Sequence, residues 1–286
     1  MSSYNTLKRI LSSTLWQYQQ WRQHRKEQSF QIDSGLPVFV VGCQRSGTNM
    51  LVRHLARSSD IILYNEDHPE IFQDFHIVNL TVVENTLNSN GVRVSLFKPI
   101  LDTSRAHDFL GHFPSARVLF IFRHFDDVTN SLLRAFDTDP AQRIRKWFEG
   151  GCLQHSRFRA DPNYPTEATY LYLRRLYRSD LDDISCTALY WFIFSQFFFS
   201  LQLHQHPRVL GVCYETLVRN PRLGFKQICS FLGIKYSRQM SRGVQASSIG
   251  KEPAREIDHS IRAECLALYD HLVAAVSGAA SSSFSL

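Results

Sequence analysis

Apolar residues along this chain fall into short, nearly unbroken runs separated by turn residues. Pro37-Val-Phe-Val-Val41 is one such run, and residues 92–97, 117–122 and 209–214 are three more. Runs of this length, rich in β-branched and aromatic residues, predict strands. The run 117–122 is apolar at almost every position, as expected of a parallel strand covered on both faces. Helical periodicity fills the gaps. Residues 48–57 place Met50, Leu51 and Leu55 on one face, 105–113 end at Pro114, and a helix capped by Asp126 or Asp127 runs to Phe136. Residues 221–232 form a helix closed by Gly233, and 257–276 form the last. Strand–helix alternation of this kind predicts an α/β fold: three layers of P-loop type, with a central mostly parallel sheet flanked by helices. Residues 138–183 break the rhythm with Asp139-Pro140, Gly150-Gly151, Asp161-Pro162 and Pro165, and read as a helical insertion over the ligand side. The most apolar stretch, 189–203, includes Ser195, Gln196, Ser200 and Gln202 and falls short of the ~20 apolar residues that span a bilayer, so a buried core helix is expected.

Charge divides the chain further. The formal net charge is +6. Residues 1–30 hold Lys8, Arg9, Arg22, Arg25 and Lys26 against Glu27 alone, which leaves 31–286 nearly neutral. A broad basic surface for nucleic acid is therefore not expected; one concentrated anion pocket is. Residues 1–30 read as a basic helical extension, with Leu7, Ile10, Leu11, Leu15 and Trp16 on one face. It packs on the domain or on a second copy in a homo-oligomer, or touches a membrane surface weakly. The six cysteines show neither metal-ligand nor redox spacing, and no signal peptide is evident, so a reduced, cytoplasmic chain without a metal is expected.

The chemistry concentrates at Gly42-Cys-Gln-Arg45-Ser46-Gly47-Thr48-Asn49, a glycine turn between a strand and a helix. Such a turn leaves backbone N–H groups unpaired and aims a helix dipole at a bound phosphate. Arg45 offers a fork of charged donors; Ser46 and Thr48 offer hydroxyls. A Walker A loop would continue with Lys and then Ser or Thr; here Thr48 and Asn49 stand in those places. That argues against an ATP- and magnesium-dependent phosphotransferase. A catalytically silent nucleotide-binding scaffold is the other alternative.

The segment Val40-Val-Gly-Cys-Gln-Arg-Ser-Gly-Thr-Asn-Met-Leu51 resembles the 5'-phosphosulfate loop of the PAPS-dependent sulfotransferases, in its bacterial and Golgi-type form. The resemblance implies a donor, 3'-phosphoadenosine-5'-phosphosulfate (PAPS), a product, adenosine 3',5'-bisphosphate (PAP), and metal-independent in-line transfer to a hydroxyl or amine. It implies a 3'-phosphate site at Arg123, which follows the strand 117–122, and at Ser131 eight residues later, although His124-Phe125 replaces the usual Asn/Asp-Pro. Tyr214 in Tyr214-Glu215 is implied near the adenine, with Glu215 as a structural brace. Ser248, Gly250 and Lys251 match the late loop over the 3'-phosphate, with a helical continuation at Pro253-Ala-Arg255-Glu.

For transfer itself, Glu66, just after the helix that follows the glycine turn, resembles the base of the tyrosylprotein and several carbohydrate-type sulfotransferases and is the expected base, with His68 as runner-up and an unseen base as the remaining alternative. Lys98 follows a strand and precedes Pro99; the resemblance implies a lysine here near the transferring group, which it is expected to stabilise together with Arg45. Asp67 and Glu70 read as surface or capping residues. A small-molecule or carbohydrate acceptor is expected against residues 66–90 and the insertion; Tyr170, Tyr172, Tyr177 and Trp191 read equally well as its liners and as core residues. Arg143, Arg145, Arg174, Arg175 and Arg178 read as solvated helix charges or as contacts to an anionic acceptor.

Overall fold

The computed structural model describes residues 35–89, 91–149 and 165–278. The expected N-terminal extension and the middle of the expected insertion lie outside the described residues. In chain order the elements are β1 Leu36–Gly42, α1 Thr48–Leu55, β2 Ile61–Tyr64, the hairpin β3 Phe72–Gln73 and β4 His76–Ile77, α2 Leu80–Ser89, β5 Val94–Phe97, a 3-10 turn Ile100–Arg105 and α3 Ala106–His112. There follow β6 Arg117–Phe122, α4 Phe125–Phe136, α5 Asp139–Glu149, α6 Glu167–Leu173, α7 Asp183–Ser200, β7 Val209–Cys213, α8 Tyr214–Arg219, α9 Pro221–Leu232, α10 Arg238–Ser241 and α11 His259–Ser277.

Five strands form one parallel sheet in the order β2-β5-β1-β6-β7. Their side chains alternate between two cores. Phe39 and Val41 of β1 and Val118, Phe120 and Phe122 of β6 face one; Val38, Val40, Leu119 and Ile121 face the other. The first core is closed by α3, α4, α5, α7 and α11, the second by α1, α8, α9 and α10. Both faces being covered explains why the strand runs are continuously apolar. Helix α7 carries the expected apolar run and buries almost every side chain from Ser185 to Phe198, Trp191 among them. Each large side chain so removed from water contributes roughly 1.5–3 kcal/mol. Among the described residues no helix is long and apolar enough to cross a membrane.

Three local expectations need correction, and one open alternative is decided. A short strand, β2, separates α1 from Glu66, so Glu66 follows a strand and not a helix. Helix α4 is capped by the His124 side chain, which accepts from Asp126 N–H; Asp126 and Asp127 occupy its first turn, where they complement the dipole. Residues 253–256 are not helical: α11 begins at His259, where Asp258 accepts from the N–H groups of Ser260 and Ile261. Tyr170, Tyr177 and Trp191 are core residues. The two tyrosines stack on Phe148, and the Trp191 indole N–H donates to the Arg123 carbonyl at 3.0 Å.

Gly42 ends β1 at φ +133°, and a Cβ there would stand 2.1 Å from the Ile121 carbonyl oxygen. The β1–β6 pairing at the base of the glycine turn therefore requires glycine. Gly42→Ala is expected to cost about 3 kcal/mol or more, read as a lowered denaturation midpoint.

Candidate functional site

In a parallel sheet every strand delivers its C-terminal end to the same edge. Here each of the five ends carries a sequence-predicted residue. Arg45 to Asn49 follow β1, Glu66 follows β2, Lys98 follows β5, Arg123 follows β6 and Tyr214 follows β7. Strand β1 lies at the centre; its connection leads to β2 on one side and that of its neighbour β6 leads to β7 on the other, so the glycine turn opens at the topological switch point.

The turn presents an uncapped helix. Gly47, at φ 90°, is the N-cap of α1, without a side-chain cap or an acidic residue in the first turn. By contrast α4, α6, α7 and α11 are each capped by a side chain. The first N–H groups of α1 are thus left to an outside acceptor. Arg45 itself adopts φ 66°, a left-handed conformation that side chains other than glycine rarely take.

One half of the site surrounds Arg45. Its Nε donates to Ser131 Oγ at 2.9 Å, tying the glycine turn to α4 across the β1–β6 boundary. Burial lowers the Arg45 pKa, and the nearby charges of Arg134 and Arg123 lower it further. Three guanidinium groups therefore crowd one region. Two have a carboxylate partner: Arg123 pairs with Asp127 at 3.0 Å, and Arg134 pairs with Glu252. Two buried donors nearby, Ser46 Oγ and Arg123 Nε, have no hydrogen-bond partner. An unmatched buried donor costs about 1–3 kcal/mol, so this concentration of cations and orphaned donors fits an anion.

Tyr214 and the late loop complete this half. The Arg123 guanidinium lies 4.7 Å from the Tyr214 ring centroid and donates to the Ser248 carbonyl. Tyr214 OH and Ser248 Oγ are hydrogen-bonded, and Gly250 N–H donates to both oxygens of Asp127 at 3.1 and 3.2 Å. Ser248 and Gly250 are thereby brought to the site. Lys251 is exposed and makes no contact with these groups among the described residues. Glu215 braces the strand ends from behind: it accepts from His124 N–H at 2.9 Å and from Tyr269 OH at 3.1 Å.

The other half surrounds Lys98, whose side chain is 2% exposed. Its ammonium donates to Asn49 Oδ1 at 2.7 Å and pairs with Glu66 Oε1 at 3.0 Å. Burial lowers the Lys98 pKa, and the Glu66 carboxylate opposes the shift without cancelling it. Glu66 makes no other ion pair or hydrogen bond among the described residues. His68 caps the turn after Glu66, its N–H donating to Asn65 O, and its ring packs edge-on against Tyr64 at 5.3 Å. Asn49 was expected only as part of the phosphate loop; its link to Lys98 has no signal in the sequence, because the partners are 49 residues apart.

The remaining arginines are partly accounted for. Arg145 pairs with Asp183 at 2.6 Å and Arg178 with Asp258 at 3.0 Å, while Arg174 and Arg175 are exposed. Tyr172, half-buried, donates to Glu264 at 2.6 Å. Among the described residues no group of three His, Cys, Asp or Glu side chains forms a metal site, and the five described cysteines are free and buried.

No protein-family model and no curated protein matches the chain. Solved structures do. The chain is similar to the sulfotransferase domain of the Synechococcus PCC 7002 olefin synthase, at 15% identity over 86% of this chain and 98% of that one, with a TM-score of 0.49. It is similar to a sulfotransferase from Alicyclobacillus acidocaldarius, at 18% identity over 84% and 94%, with a TM-score of 0.46. It is also similar to the sulfotransferase domain of the curacin biosynthetic pathway, at 15% identity over 84% and 99%, with a TM-score of 0.48. These likenesses are too weak to carry an argument about chemistry; the architecture stands on the chain's own sheet and helices.

A Cβ on Gly47 would meet the Tyr214 ring at 2.3 Å. Gly47→Ala is expected to cost about 2–3 kcal/mol, the sum of a clash and a strained φ. In the double variant Gly47→Ala/Tyr214→Ala the clash term is absent, so the two costs are expected to be non-additive by roughly 1 kcal/mol in a double-mutant cycle of denaturation midpoints.

Proposed function

We propose that this chain is a sulfotransferase that takes a sulfuryl group from PAPS and passes it to a hydroxyl or amine of a small-molecule or carbohydrate acceptor. The observation that carries the reading is the Arg45–Ser131 hydrogen bond. It brings the two predicted anion sites, one at the glycine turn and one at Arg123 and Ser131, side by side. A ligand with two separated phosphates would span both, with Ser46 Oγ and Arg123 Nε as donors that lack a protein partner. In this reading Ser46, Gly47, Thr48 and Asn49 hold the 5' end. Arg123, Ser131, Ser248, Gly250 and Lys251 serve the 3'-phosphate, and Tyr214 lies beside the adenine.

When bound, the donor supplies the sulfuryl group. The protein's part is alignment and charge. The Glu66–Lys98 pair takes one carboxylate oxygen and leaves Oε2 to accept the proton of the attacking hydroxyl or amine. His68 is the alternative base. Lys98 and Arg45 stabilise the negative charge that develops on the oxygen left on the 5'-phosphate. Lys98 is held near-buried by two partners, so it needs little reorganisation as that charge appears.

The rival ATP-dependent reading needs a hydroxyl to hold magnesium where Asn49 stands, and the Asn49 side-chain oxygen is occupied by Lys98. Calorimetry separates the readings. PAP is expected to bind without magnesium and more tightly than ATP. Magnesium-dependent ATP binding in preference to PAP would sink the proposal, and PAP binding without turnover on a broad acceptor panel would favour a silent scaffold.

Lys98→Ala is expected to lower kcat by about 10²–10³-fold while PAP affinity changes by less than about threefold. The pH profile carries the sign of the Lys98 shift. The ammonium loses its proton below the ordinary lysine value of about 10.5. The activity it supports is therefore present at neutral pH and lost as pH rises through that lowered value. In Lys98→Arg the residual activity should persist to higher pH, since arginine stays protonated there; an unmoved alkaline limb would assign it to another group.

A further inference from the structure

The charge of this molecule is segregated in a way its sum conceals. From Thr216 to Lys251 the sequence contains no Asp or Glu. Within that span Arg219, Arg222, Lys226, Lys235, Arg238 and Arg242 are all exposed, on or beside α8, α9 and α10. Three arginines from other parts of the chain close on the same helices. Arg57 donates to the carbonyls of Gln239 and Arg242 at 2.8 and 2.6 Å, Arg93 donates to the Gly233 carbonyl at 2.6 Å, and the Arg117 guanidinium lies 5.3 Å from the Phe231 ring centroid. Asp60 is the acidic residue on the segment that follows α1 beneath them. With a whole-chain formal charge of only +6, the rest of the molecule is net acidic.

These cations are not spent on ion pairs. Among the described residues, none of the seven exposed lysines and arginines of this span, Lys251 included, has a carboxylate partner. Helix α9 turns Phe225, Ile228, Cys229 and Leu232 into the core. Its outer face therefore presents Arg222, Leu223 and Lys226, and Leu223 is 64% exposed. Long cations without carboxylate partners around one protruding leucine, on a convex helix face, fit a diffuse and fluid anion layer with an apolar interior. An acidic protein partner would call for fixed opposing carboxylates and a more extensive apolar contact.

We propose that the α9–α10 face docks on an anionic lipid surface, with Leu223 entering the headgroup layer. The span then continues through the loop of Ser248 and Gly250, which closes on Arg123 and Tyr214, so the docked face and the candidate crevice are linked by a short length of chain. The docking itself does not depend on what the crevice does.

The test is co-sedimentation of the full chain with phosphatidylcholine vesicles, with and without about a third phosphatidylserine, over a range of salt. The full chain is expected to bind the anionic vesicles and not the neutral ones, and to lose binding steeply as salt rises. Each cation near such a surface is worth about fivefold in partitioning, so R222E/K226E is expected to reduce it by at least about 25-fold with an unchanged denaturation midpoint. L223S is expected to reduce it severalfold while leaving the salt slope intact. K146E/R174E, on the opposite helical layer, is expected to change it little. Equal binding by R222E/K226E would assign the attraction to residues 1–30 and overturn the proposal. Equal affinity for neutral vesicles, or a preference for double-stranded DNA or an acidic protein over anionic vesicles, would overturn it as well.

Discussion

The rest of this structure depends on the parallel alignment of five strands with β1 at the centre. Parallel strands need long crossovers, and each crossover begins at the same edge of the sheet. Residues far apart in sequence, from Arg45 to Tyr214, for that reason lie within a few positions of strand ends on one line. The alternation of each strand between two cores keeps that line rigid. Shifting β1 or β6 by one residue would turn Phe39 and Phe120 into the core built for Val40 and Ile121.

Electrostatics then divides the edge. On the β6 and β7 side three arginines approach one another closely enough for mutual repulsion, with Asp127 and Glu252 as partial counterweights. On the β2 and β5 side a single lysine is buried, and its charge is kept by one carboxylate and one amide oxygen. A buried ammonium without such partners would be strongly destabilising. The edge therefore has a diffuse cationic half and a half with one sharply positioned ammonium. Asp127 belongs to both structure and site: it fixes the Arg123 guanidinium and at the same time holds the backbone of the late loop at Gly250.

Legibility in the sequence followed local physics. Strand β6 and helix α9 were readable to the residue, because an unbroken apolar run and a Pro-to-Gly helical segment are local signals. Strand β2 was not. Four residues, Ile61 to Tyr64, are too short a run to announce a strand, and they become one only by pairing with β5. The hairpin β3–β4 is shorter still and is held by a remote side chain, with Asp102 accepting from His76 and from Ile77 N–H, both at 2.8 Å. The tyrosines of α6 and its exit loop show the opposite limit: aromatic residues in an arginine-rich segment read equally well as ligand contacts and as core, and stacking on Phe148 decided for the core.

What the sequence determined by itself was the alternation of strands and helices, and the residue types at each strand exit. Hydrophobic period and glycine placement are properties of contiguous residues, so they survive without coordinates. What only the tertiary structure decided was which of those residues meet. Arg45 finds Ser131 across 86 positions and Lys98 finds Asn49 across 49. The spatial sorting of charge into one cationic helical face was equally hidden, because net charge is a sum over the chain while a surface potential depends on where each charge is carried.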